Sequence, residues 1–208
     1  MRNQRVLLIL CAALAIGACN TTPSLPTASN RIEIVESVGF TIVEESRVGS
    51  GARGDYDRAL QLLAQGNVNE GIALLGAVSE KAPELSAPHI DLGIAQHRRD
   101  NLEAAEQHLL RALDISPEHP IALNELGIIY RKTARFAEAR RSYEAALAVY
   151  PGYHFARRNL AVLCELYLAD LECALGNYEA YMAVVQSDDE VSMWLKNLRY
   201  QMGKTGVE

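Results

Sequence analysis

Phenylalanine and tryptophan are scarce in this chain, with three Phe and one Trp in 208 residues, so its core must be assembled from Leu, Ala, Ile and Val, as stacked helices do. Positive charge is also short. Twenty Lys and Arg stand against 26 Asp and Glu, and the formal charge of −6 argues against nucleic acid and against electrostatic binding to anionic lipid. The N-terminal apolar run, Val6 to Ile16, is too brief to span a bilayer. Catalytic signatures are missing as well: there is no Gly-x-Ser-x-Gly, no His-Glu-x-x-His, no phosphate-cradling glycine loop and no calcium loop. The histidines, His89, His97, His108, His119 and His154, are scattered and form no ligand set, so neither a metal nor a cofactor is expected. Paired acids such as Glu44-Glu45 and Asp188-Asp189 fit solvation and helix capping better than acid–base chemistry. No enzyme is expected from these residues.

What the N-terminus does contain reads as an address. Arg2 and Arg5 precede the apolar run, which ends in Ile16-Gly17-Ala18-Cys19. A branched residue, two small residues and a cysteine in this order resemble the lipobox of bacterial lipoproteins. The resemblance implies a signal peptide over 1–18, removed before an acylated Cys19, and membrane attachment through its lipid. Several acyl chains, each worth about 0.8 kcal/mol per buried methylene, would anchor stably. In that family an Asp after the cysteine favours retention at the inner membrane. Asn20 stands there, so the implied location is the outer membrane, facing the periplasm. Cleavage would remove two arginines and no acid, taking the charge from −6 to −8.

A Ser/Thr/Pro-rich tether over 19–30 follows, without an apolar period. Across 31–50, Ile32 and Ile34 alternate with polar residues, Val38-Gly39 interrupts, and Phe40 and Ile42 alternate again, which favours two short strands over a partly helical lead-in. Gly49, Gly51 and Gly54 then mark a joint.

From there a proline recurs every 34 residues, at Pro83, Pro117 and Pro151, with small and apolar residues in the same register before it. The block 120–153 carries Leu123, Leu126-Gly127 and Tyr130, then Phe136, Ala139, Tyr143 and Ala146. Block 86–119 has Leu92-Gly93, Leu102, Ala105, Leu109 and Ala112, and block 52–85 keeps Ala59, Leu62, Gly71 and Leu75. These residues resemble the tetratricopeptide repeat (TPR) family. The resemblance implies an all-α fold over 51–208, a right-handed TPR superhelix of antiparallel helix pairs. Small residues serve where two helices cross closely, and proline stops the second helix of each pair.

The fourth block, 154–188, holds the register at Leu160-Ala161 and Cys164, but Ala169, Ala174, Tyr178 and Tyr181 fit only with one residue inserted near the end of its first helix, so a longer or kinked helix is expected. Val191, Trp194, Leu195, Leu198 and Met202 recur at helical spacing and predict a C-terminal capping helix over 189–202, its polar side carrying Lys196, Asn197 and Arg199. Cys164 and Cys173 flank the turn near Ala169-Asp170, one on each helix. A disulfide is favoured in an oxidising compartment, and two buried thiols are the alternative.

Function must then lie on a surface. In the TPR family the concave face is lined by fixed positions of each first helix, and the resemblance carries them to Tyr56, Leu60 and Leu63, then Ile90, Ile94, His97 and Arg98. The next blocks supply Ile121, Asn124, Ile128, Arg131 and Lys132, then Phe155, Arg158 and Val162. An apolar floor with a basic strip of Arg98, Arg131, Lys132 and Arg158 suits protein partners, through a peptide segment bearing apolar and acidic groups; solvated helix ends are the plainer reading. The carboxylate clamp of chaperone-binding members is not implied, because Tyr56 and Leu60 occupy its sites. The layout is similar to lipid-anchored adaptors that recruit or assemble envelope machinery. The alternative is a structural subunit of a pilus, secretion, motility or transport complex, pilotin-like and without a peptide groove.

Overall fold

A computed structural model describes the backbone of residues 32–37, 39–44 and 50–205, with side chains from 50 to 203. The expected signal peptide 1–18, Cys19 and the whole expected tether 19–30 lie outside the described residues. Strands β1 (Ile32–Ser37) and β2 (Gly39–Glu44) pair antiparallel, with Ile32 opposite Glu44 and Ser37 opposite Gly39. From residue 50 the chain is helical: α1 (Ser50–Ala64), α2 (Val68–Lys81), α3 (Ala87–Arg98), α4 (Leu102–Ile115), α5 (Pro120–Lys132), α6 (Phe136–Val149), α7 (His154–Leu166), α8 (Leu171–Val184) and α9 (Asp189–Thr205). Each helix packs on the next, while α5 also touches α3 and α7, so the first helices of successive pairs line one side of a solenoid. Among the described residues, no helix is long and apolar enough to cross a membrane.

The periodic prolines act where the second helices end. The N–H groups of Ala82, Ser116 and Tyr150 make the last i−4 bonds, to Val78, Ala112 and Ala146, and a proline, with no N–H to continue the ladder, comes next. Turns within each pair are just as regular. Gly66, Asp100 and Ala134 stand one period apart in the left-handed region, at φ 84°, 59° and 59°. Behind them the N–H groups of Asn67, Asn101 and Arg135 donate back to the carbonyls of Leu62, Gln96 and Tyr130 at 2.9, 3.0 and 2.8 Å, the closure that ends a helix on a left-handed residue.

The fourth turn corrects one expectation. Its left-handed residue, Ala169 (φ 52°), comes one residue late, and the Asp170 N–H reaches back to the Cys164 carbonyl at 2.9 Å. Helix α7 keeps the 13 residues of α5. The inserted residue therefore enlarges the turn, where exposed backbone accommodates it, and does not lengthen the helix, where it would rotate the apolar face off the core. Alanine in the left-handed region costs about 1–2 kcal/mol, and glycine does not. Ala134→Gly should accordingly raise stability by about 1 kcal/mol and the melting temperature by roughly 2–4 °C; a thermal scan showing no gain would mean the turn strain is relieved elsewhere.

The cores explain the small residues. A Cβ at Gly93 would lie 2.7 Å from Leu109 Cγ, and one at Gly127 would lie 2.5 Å from the Tyr143 ring, so α3 meets α4 and α5 meets α6 at glycine. Tyr143, Tyr178, Leu109 and Leu163 are among the largest fully buried side chains. Helix α9 closes the last pair by burying Val191, Leu195 and Leu198 against α8, while Lys196, Asn197 and Arg199 face solvent. Asp188 starts it, accepting the Val191 N–H at 3.0 Å.

His89 of α3 and His108 of α4 stack with ring centroids 5.8 Å apart, and His89 Nδ1 is buried without a hydrogen-bond partner. Burial holds both imidazoles below the ordinary value of 6.5, and for His89 the neighbouring His108 and Arg111 add to it. A depressed imidazole keeps the fold stable above pH 6.5 and withdraws that stability as pH falls through its folded value, because the unfolded chain then binds more protons. Urea unfolding midpoints should decline on acidification from pH 7 to 5, and less steeply in His108→Gln.

Candidate functional site

The inner side of the solenoid is built from α1, α3, α5 and α7, and equivalent positions on successive helices meet across each junction. At the first junction the Tyr56 hydroxyl donates to Asp91; at the third, the same two repeat positions are Asn124 and Asn159, joined by Asn159 Nδ2 donating to Asn124 Oδ1 at 2.9 Å. Ile90 and Asn124 are only 4% and 2% exposed. Ile90 packs in the core and Asn124 is joined to Asn159 beneath the surface, so of the expected contact residues these two present the least surface to a partner.

The surface itself is apolar. Ile94, Ile121, Ile128 and Val162 are partly exposed, and Phe155 is 54% exposed, resting against the His154 ring at 4.1 Å. The expected basic strip, by contrast, is largely answered from within the chain. Lys132 Nζ lies 3.2 Å from Asp100, and Arg158 reaches Glu190 at 2.8 Å while its guanidinium covers the Trp194 ring at 5.2 Å. Arg131 is half-buried beside the Tyr143 hydroxyl, outside hydrogen-bond geometry, and donates to the Tyr167 hydroxyl at 3.5 Å. His97 Nδ1 stands 3.7 Å from Glu125. The exposed Lys132 and Arg158 pairs contribute about 0–1 kcal/mol each, so they shape the surface more than they stabilise it. Arg98 differs, since its counterpart Lys132 pairs with Asp100 whereas the preceding block has Gly66 in that column, and Arg98 acts instead on Asp91.

Beside Arg98 lies a cavity of about 350 Å³ between α1 and α3, walled by Leu60, Leu63, Ala64 and Ile94 with Arg98 and Arg99 at its edge. Asp91 also lines it; burial pushes its carboxyl above the usual range, opposed by the Tyr56 hydrogen bond and the field of Arg98. Asp91 and Arg99 were not among the residues singled out from sequence. Aligning the blocks column by column would have exposed them, because Leu63 and Gly66 stand where the next block has His97 and Asp100.

At the other end Cys164 and Cys173 form a disulfide with Cα atoms 5.9 Å apart, joining α7 to α8. Asp170 accepts the Cys173 N–H at 3.1 Å and pairs with Arg140 of α6 at 3.0 Å, tying the enlarged turn to the preceding pair.

Residues 62–126 and 120–153 match family profiles described as Tetratricopeptide repeat. Over residues 62–153 the chain matches tetratricopeptide repeats. Anaphase-promoting complex subunit 6 of Dictyostelium discoideum is 33% identical over 86 residues, 41% of this chain and 10% of that protein. The probable UDP-N-acetylglucosamine–peptide N-acetylglucosaminyltransferase SPINDLY of Arabidopsis thaliana is 36% identical over 102 residues, 49% of this chain and 11% of that protein. The chain thus spans about a tenth of the length of these curated relatives. Among solved structures, MamA of Desulfovibrio magneticus RS-1 superposes with a TM-score of 0.66 at 17% identity, covering 76% of this chain and 88% of that one. PilF of Pseudomonas aeruginosa gives 0.67 at 19% identity, covering 74% and 69%. Such likenesses show the fold, an all-α TPR superhelix of antiparallel pairs. TPR domains of this kind act as protein–protein interaction scaffolds and are typically non-catalytic; the SPINDLY match lies in a small part of a much longer enzyme.

Proposed function

We propose that this chain is a lipid-anchored scaffold of the bacterial outer membrane that holds protein partners on its concave face, in the periplasm, for assembly or recruitment of envelope machinery. The observation that carries the reading is the apolar floor of that face, where Phe155 is exposed and Ile128 and Val162, packed against the core on adjoining helices, keep part of their surface open. Attachment rests on the Ile16-Gly17-Ala18-Cys19 box. The Cys164–Cys173 disulfide supports an oxidising compartment, where such bonds persist.

Photo-crosslinking from within the envelope tests the face. A photoreactive residue at Phe155 or Ile128 should capture a defined partner, and one at Leu110, exposed on α4, should not. Equal capture from both would favour a structural subunit packed on all sides, the pilotin-like alternative. Incorporation of radiolabelled palmitate, abolished by Cys19→Ser, tests the anchor; unchanged labelling would end it.

A further inference from the structure

The inner surface is not uniform along the solenoid, and the difference singles out one junction. Between α3 and α5 the gap is closed by His97 against Glu125 at 3.7 Å and by Lys132 against Asp100 at 3.2 Å. Between α5 and α7, Arg131 reaches Tyr167 and Asn159 bonds Asn124. Between α1 and α3 the corresponding residues are Leu63 in place of His97 and Gly66 in place of Asp100. Leucine cannot bridge to Asp91, whose carboxyl accepts from the Tyr56 hydroxyl and lies in the field of Arg98, and Gly66 has no side chain to supply a second acid there. What remains is the cavity of about 350 Å³, apolar in its walls and edged by two guanidinium groups. Its volume lies within the range of small ligand pockets and suits one bulky side chain with its flanking backbone.

We propose that this first junction is the anchor seat for the partner segment, taking a bulky aliphatic side chain against Leu60, Leu63 and Ile94 while a neighbouring carboxylate of the same segment meets Arg98 and Arg99. The inference rests on the concave-face reading and locates it. Charge complementarity chooses the occupant: Asp91 is the one carboxyl among the lining residues, set against the guanidiniums of Arg98 and Arg99, so an acid on the guest balances the remaining positive charge, and a base would not. Arginine presents a planar fork that can hold such a carboxylate through two hydrogen bonds.

Random-sequence peptides displayed on phage, panned on the full mature chain, provide the probe, with affinities of enriched peptides measured by fluorescence anisotropy. The expected consensus is an aliphatic residue beside Asp or Glu. Binding should weaken roughly tenfold in Arg98→Glu, and panning on that variant should exchange the acid for Lys or Arg. Ala64→Trp, at an exposed cavity-lining position, should abolish binding with helicity unchanged by circular dichroism. Peptides that ignore both substitutions but are lost in Phe155→Asp would keep the concave-face reading and refute the seat. A basic consensus on the unaltered chain would also refute it, and failure to enrich any peptide would count against both.

Discussion

Tyr143→Ala should lower the unfolding free energy by about 3–5 kcal/mol, a large part of the total for a domain of this size. The ring is fully buried between α5 and α6, so close to Gly127 that a Cβ there would overlap it, and truncation leaves a cavity that rigid neighbours cannot fill. Tyr143→Phe separates ring from hydroxyl. That hydroxyl is buried beside Arg131 without hydrogen-bond geometry, so its loss should cost less than about 1 kcal/mol, and Arg131 keeps its bond to Tyr167. Burial, opposed by Arg131, pushes the Tyr143 pKa up to about 12. The raised value means that stability is intact below pH 10 and is lost as pH rises through about 12. Tyr143→Phe should flatten that alkaline decline, which Tyr153 and Tyr178, raised by burial too, would still contribute to. Urea titrations at neutral and alkaline pH measure both effects. Equal costs for the Ala and Phe variants would show that the ring is not the wedge between these helices.

Reduction of Cys164–Cys173 should cost about 2–3 kcal/mol, the chain-entropy value for a loop closed by residues nine apart. The loss should be local. In a solenoid each pair contacts only its neighbours, so loosening the fourth pair frees α7, α8 and α9 and leaves α3 and α4 as they were. Hydrogen exchange with and without reductant would show this as faster exchange confined to residues beyond about 154. Cys173→Ser is the better variant for confirmation, because Cys173 is only partly buried, whereas a serine at the fully buried Cys164 would add the cost of an unpaired hydroxyl. A uniform increase along the chain would mean that the solenoid unfolds as one unit.

Much of this architecture was legible in the residues because a repeat protein states its contacts many times over. The period of Pro83, Pro117 and Pro151, and glycine or alanine at 93, 127 and 161, determined the paired helices, their ends and their crossings, since each is set by local backbone chemistry. Val191, Leu195 and Leu198 likewise announced the face that α9 buries. The proposed acylation at Cys19 rests on the sequence alone.

Only tertiary structure decided where the extra residue of the fourth block goes, because a turn and a helix end are alternatives with similar local sequence, separated by the core that fixes the rotation of α7. Structure also decided which cations are free. Lys132 finds Asp100, Arg158 finds Glu190 and Arg131 finds Tyr167, each about one repeat away along the chain, and a charge whose partner is that distant carries no local mark of being paired. Arg98 differs: in the column where Lys132 finds Asp100 the preceding block has Gly66, and the acid that feels its field is Asp91 on its own helix.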